Sequence, residues 1–292
     1  MSAGDVIVQL LSGLASAAIL FLVAAGITLI FGAMRIINIA HGSFYMYGAM
    51  GMTTMLALLP DGDTGFVVRL VTIPILVALL GAATEVLILR RIYNREHLAQ
   101  LLATFALFYI FADLARQIWG SDYRTASIPG ALAGPVTFGS YTFPLYSLFI
   151  IGVALAVGLA LFVLLRLTLF GWRVRAAVED PELLASTGTN VMVLSTAVFA
   201  LGAGLAGLAG AVVAPLITVT SGMDANILVA AFIVAILGGL GSIGGAVLGA
   251  VIIGLFQAFG VIWFPKWSSV IIYFVLIMVL VLRPAGLFGR VE

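Results

Sequence analysis

The chain has 292 residues, 63% of them hydrophobic and 9% charged, against roughly 25% charged in an ordinary soluble domain. A water-soluble fold has nowhere to hide that much apolar surface, and a net charge of +1 gives no sign of a nucleic-acid or acidic partner. Cysteine is absent, which excludes a disulfide framework and a thiolate metal site.

A bilayer accepts apolar side chains outward and demands only that backbone polar groups be satisfied within the chain, which leaves helices or closed barrels. The apolar runs are far longer than the roughly 10 residues of a barrel strand and do not alternate with polar positions, so helices are expected. The first run, Val6 to Phe31, lacks a basic leader and a small-residue cleavage site. It reads as a retained span rather than a signal peptide.

Between that run and the next, Ser43 to Leu59, lies Met34-Arg35-Ile36-Ile37-Asn38-Ile39-Ala40-His41-Gly42-Ser43. Arginine at bilayer depth costs roughly 2.5–3.5 kcal/mol, so such a cluster persists near an interface, beside a partner or along a hydrated path. Gly42 is expected to open a break in the helix, leaving Asn38, His41 and Tyr45 to meet a solute. A tight turn with one snorkelling arginine is the plainer alternative. A metal role for His41 has no second ligand at suitable spacing.

Spans are expected next at Phe66 to Leu89 and Leu98 to Ile118. They carry Glu85 and Asp113, read as the embedded carboxylates, with Arg90-Arg91 and Arg116 near enough to pair with them. A Pro/Gly-rich loop, Trp119 to Tyr141, then leads to a span at Phe143 to Leu167.

The longest charged loop, about 171–190, follows. In it Asp180 is placed to N-cap a short helix, with Pro181 at its first position, Glu182 in the favourable first turn and Gly188 closing it. Ala177 and Leu184 make this a compact knob suited to docking in a cleft of another protein, or simply a capped connection. After a span at Val191 to Leu216 and a short apolar piece at Ile227 to Leu237 comes a glycine ladder. Gly238 and Gly239 end the short piece, and Gly241, Gly245 and Gly249 recur every four residues, which fits a discontinuous helix at a substrate path or close packing alone. Ala24, Thr28 and Gly32 form a similar ladder, as do Ala203 and Gly207. Spans at Ile243 to Trp263 and Ser268 to Leu282 complete the chain.

The whole reads as an all-α, polytopic transmembrane helical bundle in one domain, residues 1–292, with eight or nine membrane segments and at least one short or broken helix. With the N-terminus outside and all nine segments crossing, Arg35, Arg90, Arg91, Arg95, Arg166, Arg173, Arg175, Arg283 and Arg290 gather inside. Arg69, Arg116, Arg124, Lys266 and the turn Pro60-Asp61-Gly62-Asp63 fall outside. A faint echo of Ile36-Ile37-Asn38-Ile39 in Asp224-Ala225-Asn226-Ile227, on the opposite side, fits an inverted repeat. Lys266 is the only lysine, so the chain holds no phosphate-binding G-x-x-x-x-G-K-[ST] loop and any ATPase is another chain.

Gly26 to Gly42, the Arg175 to Gly188 loop, Leu237 to Gly249 and Leu282-Arg283-Pro284-Ala285-Gly286-Leu287-Phe288-Gly289 together resemble the membrane permeases of branched-chain amino-acid ABC importers, over nearly the whole chain. The resemblance implies a transport subunit, not an enzyme, of a bacterial inner membrane, without cofactor. Its implied partners are a second permease chain, two ATP-binding cassette subunits and a periplasmic solute-binding protein. The expected helix break and the glycine ladder put a substrate pathway past Asn38, His41, Gly42, Tyr45, Gly238, Gly239 and Gly241, and the resemblance implies an ATPase contact through Arg175, Ala176, Glu179, Asp180, Pro181 and Gly188. Thr187 and Thr189 stand where apolar residues are expected around Gly188. Urea, amides or small organic acids are alternative solutes. An ion-driven carrier or passive pore is the alternative mechanism.

Overall fold

A computed structural model describes residues 3–56, 62–139 and 141–289 and is almost wholly helical. Helices α1 (Ala3–Met34), α2 (His41–Thr54), α3 (Asp63–Leu87) and α4 (His97–Trp119) are followed by a small hairpin, β1 (Pro135–Phe138) and β2 (Tyr141–Pro144). Then come α5 (Leu145–Leu167), α6 (Leu169–Glu179), α7 (Pro181–Ser186), α8 (Val191–Val213), α9 (Met223–Gly238), α10 (Ile243–Trp263) and α11 (Ser268–Leu282). Of these, α1, α3, α4, α5, α8 and α10 are six helices long and apolar enough to cross a membrane. The expected count of eight or nine depends on α2, α9 and α11, which have 14, 16 and 15 residues and are shorter than the roughly 20 a crossing needs.

Two expectations are corrected here. The span expected from Phe143 begins at Leu145, because Tyr141–Pro144 pairs in antiparallel register with Pro135–Phe138. Gly42 does not break the helix; it is the second residue of α2, and the break lies at Arg35 to Ala40, after Arg35 takes φ 54 and ends α1. Of the expected turn at Pro60 to Asp63, Pro60 and Asp61 lie outside the described residues, as does Arg290.

The break is a re-entry. His41 Nε2 lies 3.2 Å from the carbonyl of Val23, and Val23 is 34 − 23 = 11 residues, roughly 16 Å at 1.5 Å each, back along α1 from Met34. The non-helical residues 35–40 therefore run back into the bundle, and α2 starts at depth and leaves toward the opposite end. Non-helical backbone survives there because protein satisfies it: Thr104 Oγ1 of α4 donates to the Ile37 carbonyl at 3.1 Å, and Asn38 Oδ1 accepts from the Ala40 amide at 3.1 Å.

The second half of the chain does the same from the other face. After α8 ends, residues 214–222 turn inward, clamped by two hydrogen bonds between Arg124 and Val219 at 3.0 and 2.8 Å. The Gly222 amide reaches Met46 Sδ at 3.4 Å, and α9 departs from that depth toward the end where α1 finishes. Gly26 meets Gly202 while Leu29 packs with Leu194 and Val198, and contacts between α2 and α9 run 42 to 228 then 46 to 222, so each pair is antiparallel. Long helix, non-helical re-entry, half-length helix and long helix thus occur twice with inverted direction, the arrangement that the echo at Ile36 and Asp224 anticipates.

Glycine makes the crossings close. A Cβ on Gly48 would lie 2.1 Å from the Gly207 carbonyl, and one on Gly210 would lie 2.0 Å from that of Tyr45, so α2 and α8 touch backbone to backbone. The ladder at Gly245 and Gly249 packs α10 on α9, against the carbonyls of Gly238 and Val234. The carboxy-terminal segment closes the same corner: the Leu287 and Phe288 amides donate to the Leu237 and Gly238 carbonyls at 2.9 and 3.0 Å, satisfying the last turn of α9.

Candidate functional site

The two half-helices begin against each other in the middle of the bundle. Ser43 Oγ, in the first turn of α2, donates to Asp224 Oδ2, in the first turn of α9, at 3.2 Å. Gly42 permits the approach: a Cβ there would sit 2.4 Å from the Asp224 carbonyl and 3.0 Å from Leu228 Cβ. Both helices point their positive N-terminal ends at this junction. Asn38, His41, Gly42 and Tyr45, four of the residues expected on the pathway, are all buried around it.

Two polar groups here have no partner among the described residues. With His41 Nε2 donating to Val23, the tautomer leaves Nδ1 as an acceptor, and it is unpaired, as is Asn38 Nδ2. Buried polar atoms are usually satisfied, so such a group around one junction needs a reason.

Gly238, Gly239 and Gly241 are elsewhere. They form the α9–α10 corner, where Gly239 and Gly241 take φ 97 and 89, Gly241 rests on Gly32, and Gly239 rests on Phe288 and Gly289. Sequence reasoning also missed Asp224, which is 1% exposed. Asp113 is on an exposed face of α4 and accepts from Gln117 at 2.9 Å, with no ion pair to Arg116 among the described residues. The signal available for Asp224 was its place in the echo, just after the Ser221-Gly222 turn.

Below the junction, at the α1 C-terminal end, a cavity of about 300 Å³ is lined by Phe31, Arg35, Ile37, His97, Gln100 and Leu101. Glu85 lies at that end too, fully buried where α3 meets α8. It pairs with Arg90 Nη2 at 3.1 Å, as expected, and also accepts from the Tyr93 hydroxyl at 2.6 Å and Thr196 at 2.7 Å. Burial and this carboxylate push the Tyr93 phenol up, so it remains a donor across the physiological range.

The same end carries the knob. Asp180 caps α7 as its sequence requires, accepting from the Glu182 and Leu183 amides at 3.1 and 2.9 Å, with Pro181 at the first position and Gly188 at φ 84. Leu184 and Val174 anchor α6 and α7 on Leu29, Leu194 and Val198. Glu179, Asp180, Pro181, Glu182 and Leu183 remain exposed at the tip. Arg175 and Ala176 are on α6; the Arg175 guanidinium lies 4.8 Å over the Trp172 ring and donates to the Leu165 carbonyl. Thr187 and Thr189 serve the turn itself, Thr187 donating to the Leu184 carbonyl at 2.7 Å and lying 3.4 Å from the Thr189 hydroxyl.

Comparison with known proteins places this architecture. A family model described as "Branched-chain amino acid transport system / permease component" matches residues 9–280. The high-affinity branched-chain amino acid transport system permease protein BraD of Pseudomonas aeruginosa is 29% identical, covering 97% of this chain and 96% of its own. LivH of Escherichia coli K12, which carries the same description, is 28% identical over 97% and 96%. The probable branched-chain amino acid transport permease protein LivH of Methanocaldococcus jannaschii is 27% identical over 93% and 89%. No solved structure matches.

Proposed function

We propose, from the premise that this chain belongs to the branched-chain amino acid transport system permease family, that it is the membrane subunit of an ATP-driven importer carrying branched-chain or related amino acids into the cell. The observation that carries this reading is the inverted pair of re-entrant half-helices, which bring polar side chains and two positive helix ends together in the centre of an apolar bundle. Transporters that work by alternating access use such a crossing point as their solute site.

In this reading the end of the bundle holding α6 and α7 faces the cytoplasm, with Arg90, Arg91, Arg95, Arg173 and Arg175 beside it and the N-terminus outside. A second permease chain completes the pathway, two ATP-binding subunits dock from the cytoplasm, and a periplasmic binding protein delivers the solute. The exposed tip at Glu179 to Leu183, rigidly capped and seated on α1 and α8, is the part that a closing ATPase pair would push. Through that seat the push passes to α1 and α8, and from them to the junction of α2 and α9. The outward-facing and inward-facing arrangements are then two packings of one bundle.

The test is uptake in proteoliposomes reconstituted with all subunits. Glu179→Ala with Asp180→Ala is expected to lower leucine uptake per ATP hydrolysed about tenfold, the scale of a coupling loss of about 1.4 kcal/mol. Asp180→Ala alone also removes a helix cap, costing about 1 kcal/mol, so Glu179→Ala is the cleaner single variant. Unchanged coupling in the double variant defeats the docking role.

One observation favours a second reading. Asp224 is a buried carboxylate with no cation in contact among the described residues, which is what an ion-driven carrier would use. Accumulation by the purified chain alone, under a proton or sodium gradient and without nucleotide, would establish that reading over the importer.

A further inference from the structure

We infer that Asp224 is the residue that holds the ammonium group of the transported amino acid, and so decides between a zwitterion and an otherwise similar solute lacking that charge. The inference rests on the importer reading and names the chemistry at its central site.

Asp224 is 1% exposed, and the side chain that donates to it among the described residues is neutral, the Ser43 hydroxyl at 3.2 Å. Among the described residues no arginine, lysine or histidine nitrogen lies within 4.0 Å of it, and Arg116 on α4 acts only through longer-range attraction. A buried carboxylate whose donors are all neutral, the Ser43 hydroxyl and the backbone amides of its own turn, is expensive unless a cation arrives. The contrast with Glu85, held by an arginine and two hydroxyls, shows how this chain satisfies a buried carboxylate from within.

The neighbouring orphans complete the pattern. His41 Nδ1, on the first residue of α2, is an acceptor and Asn38 Nδ2 is a donor, both unpaired and both more than nine-tenths buried. Asn38 is tied to the start of α2 by its own Oδ1. An α-amino acid carries one positive and one negative group about one carbon apart. The acceptors Asp224 and His41 suit the ammonium, while Asn38 and the positive end of α2 suit the carboxylate. Urea, simple amides and organic acids lack the cation and leave Asp224 unanswered, which makes them poorer cargo. Entry requires α2 and α9 to part, since Gly42 lies hard against the Asp224 backbone in this conformation.

The test uses the whole purified complex without its binding protein, so that delivery does not filter the solute. Binding of leucine is compared with binding of 4-methylpentanoate, which has the same side chain and carboxylate but no amino group. The unaltered complex should prefer leucine, and Asp224→Asn should weaken leucine binding by at least about tenfold while leaving 4-methylpentanoate nearly unchanged. Asp224→Glu should restore part of the preference. Ser43→Ala, which keeps the charge, should retain the preference even where overall affinity falls. Equal losses for both solutes in Asp224→Asn, or no loss for leucine, overturn the assignment. Leucine uptake by the unaltered complex, measured alongside, separates the two levels: if uptake proceeds while Asp224→Asn keeps its preference, only this inference fails, and if ATP-dependent uptake is absent, the importer reading fails with it.

Discussion

Gly210→Leu is expected to lower the melting temperature of the purified permease by roughly 6–12 °C, the counterpart of about 3 kcal/mol of overpacking in a chain of this size. Even the first atom of the new side chain would fall 2.0 Å from the Tyr45 carbonyl oxygen and 2.8 Å from the Ala49 amide nitrogen. Those are backbone atoms of a regular helix, with no rotamer to move aside. In lipid the helices gain little from burying apolar surface, because the solvent is itself apolar, and close contact between smooth faces supplies much of their attraction. Pushing α2 from α8 therefore removes the contact that holds a half-length helix in place. Gly48→Leu should behave alike, since its Cβ would meet the Gly207 carbonyl at 2.1 Å. Gly152→Ala on α5, where nothing lies within 4 Å of the added atom, should instead gain roughly 0.5–1 kcal/mol from improved helix propensity. Equal melting temperatures for Gly210→Leu and Gly152→Ala would refute the packing argument.

How much of this was legible beforehand follows from the range of each interaction. Helix existence, and the cap at Asp180, depend on neighbours within a few residues, so Asp180-Pro181-Glu182 appears in the structure as its spacing requires. The Glu85–Arg90 pair is equally local, five residues apart. Thr196, which also bonds Glu85, is 111 residues away and left no trace nearby in sequence. Composition marks residues 35–40 as unusual, but their re-entry depends on what Val23 and Thr104 offer, which no local pattern encodes. Gly42 illustrates the ambiguity of glycine: conformational freedom suggested a break, whereas the reason for it is the space taken by Asp224 and Leu228. Asp224 reads as a loop residue beside Ser221-Gly222 until α9 is seen to start at depth. The hairpin at Pro135–Phe138 and Tyr141–Pro144 was hidden because four-residue strands in a Pro/Gly-rich loop carry almost no periodicity.

Removing the Glu85 carboxylate should be nearly as damaging as overfilling the α2–α8 crossing, for a different reason. Glu85→Ala leaves the Arg90 guanidinium and the Tyr93 hydroxyl without their shared acceptor where α3 meets α8, while Thr196 can still donate to the Met192 carbonyl at 2.9 Å. Breaking a buried pair by deleting one partner costs 3–5 kcal/mol, but the Arg90 side chain is 29% exposed and can turn toward water, so about 2–3 kcal/mol is expected. Arg90→Ala strands the charge itself, which is wholly buried, although two hydroxyl donors remain. Glu85→Gln keeps the shape and one acceptor for those hydroxyls, so it should be the mildest of the three. Replacing both partners with leucine should cost less than the two single losses combined, because no charge is left to desolvate. The measurement is a double-mutant cycle on thermal unfolding in detergent, and strictly additive effects would show that the pair is incidental. The position adds a functional consequence: Thr196 lies five residues after Val191 begins α8, directly beyond the α6–α7 knob. A bond from Glu85 to this stretch fastens α3 to the helix that the knob would move, so variants that loosen it should also reduce uptake per ATP hydrolysed before the protein unfolds.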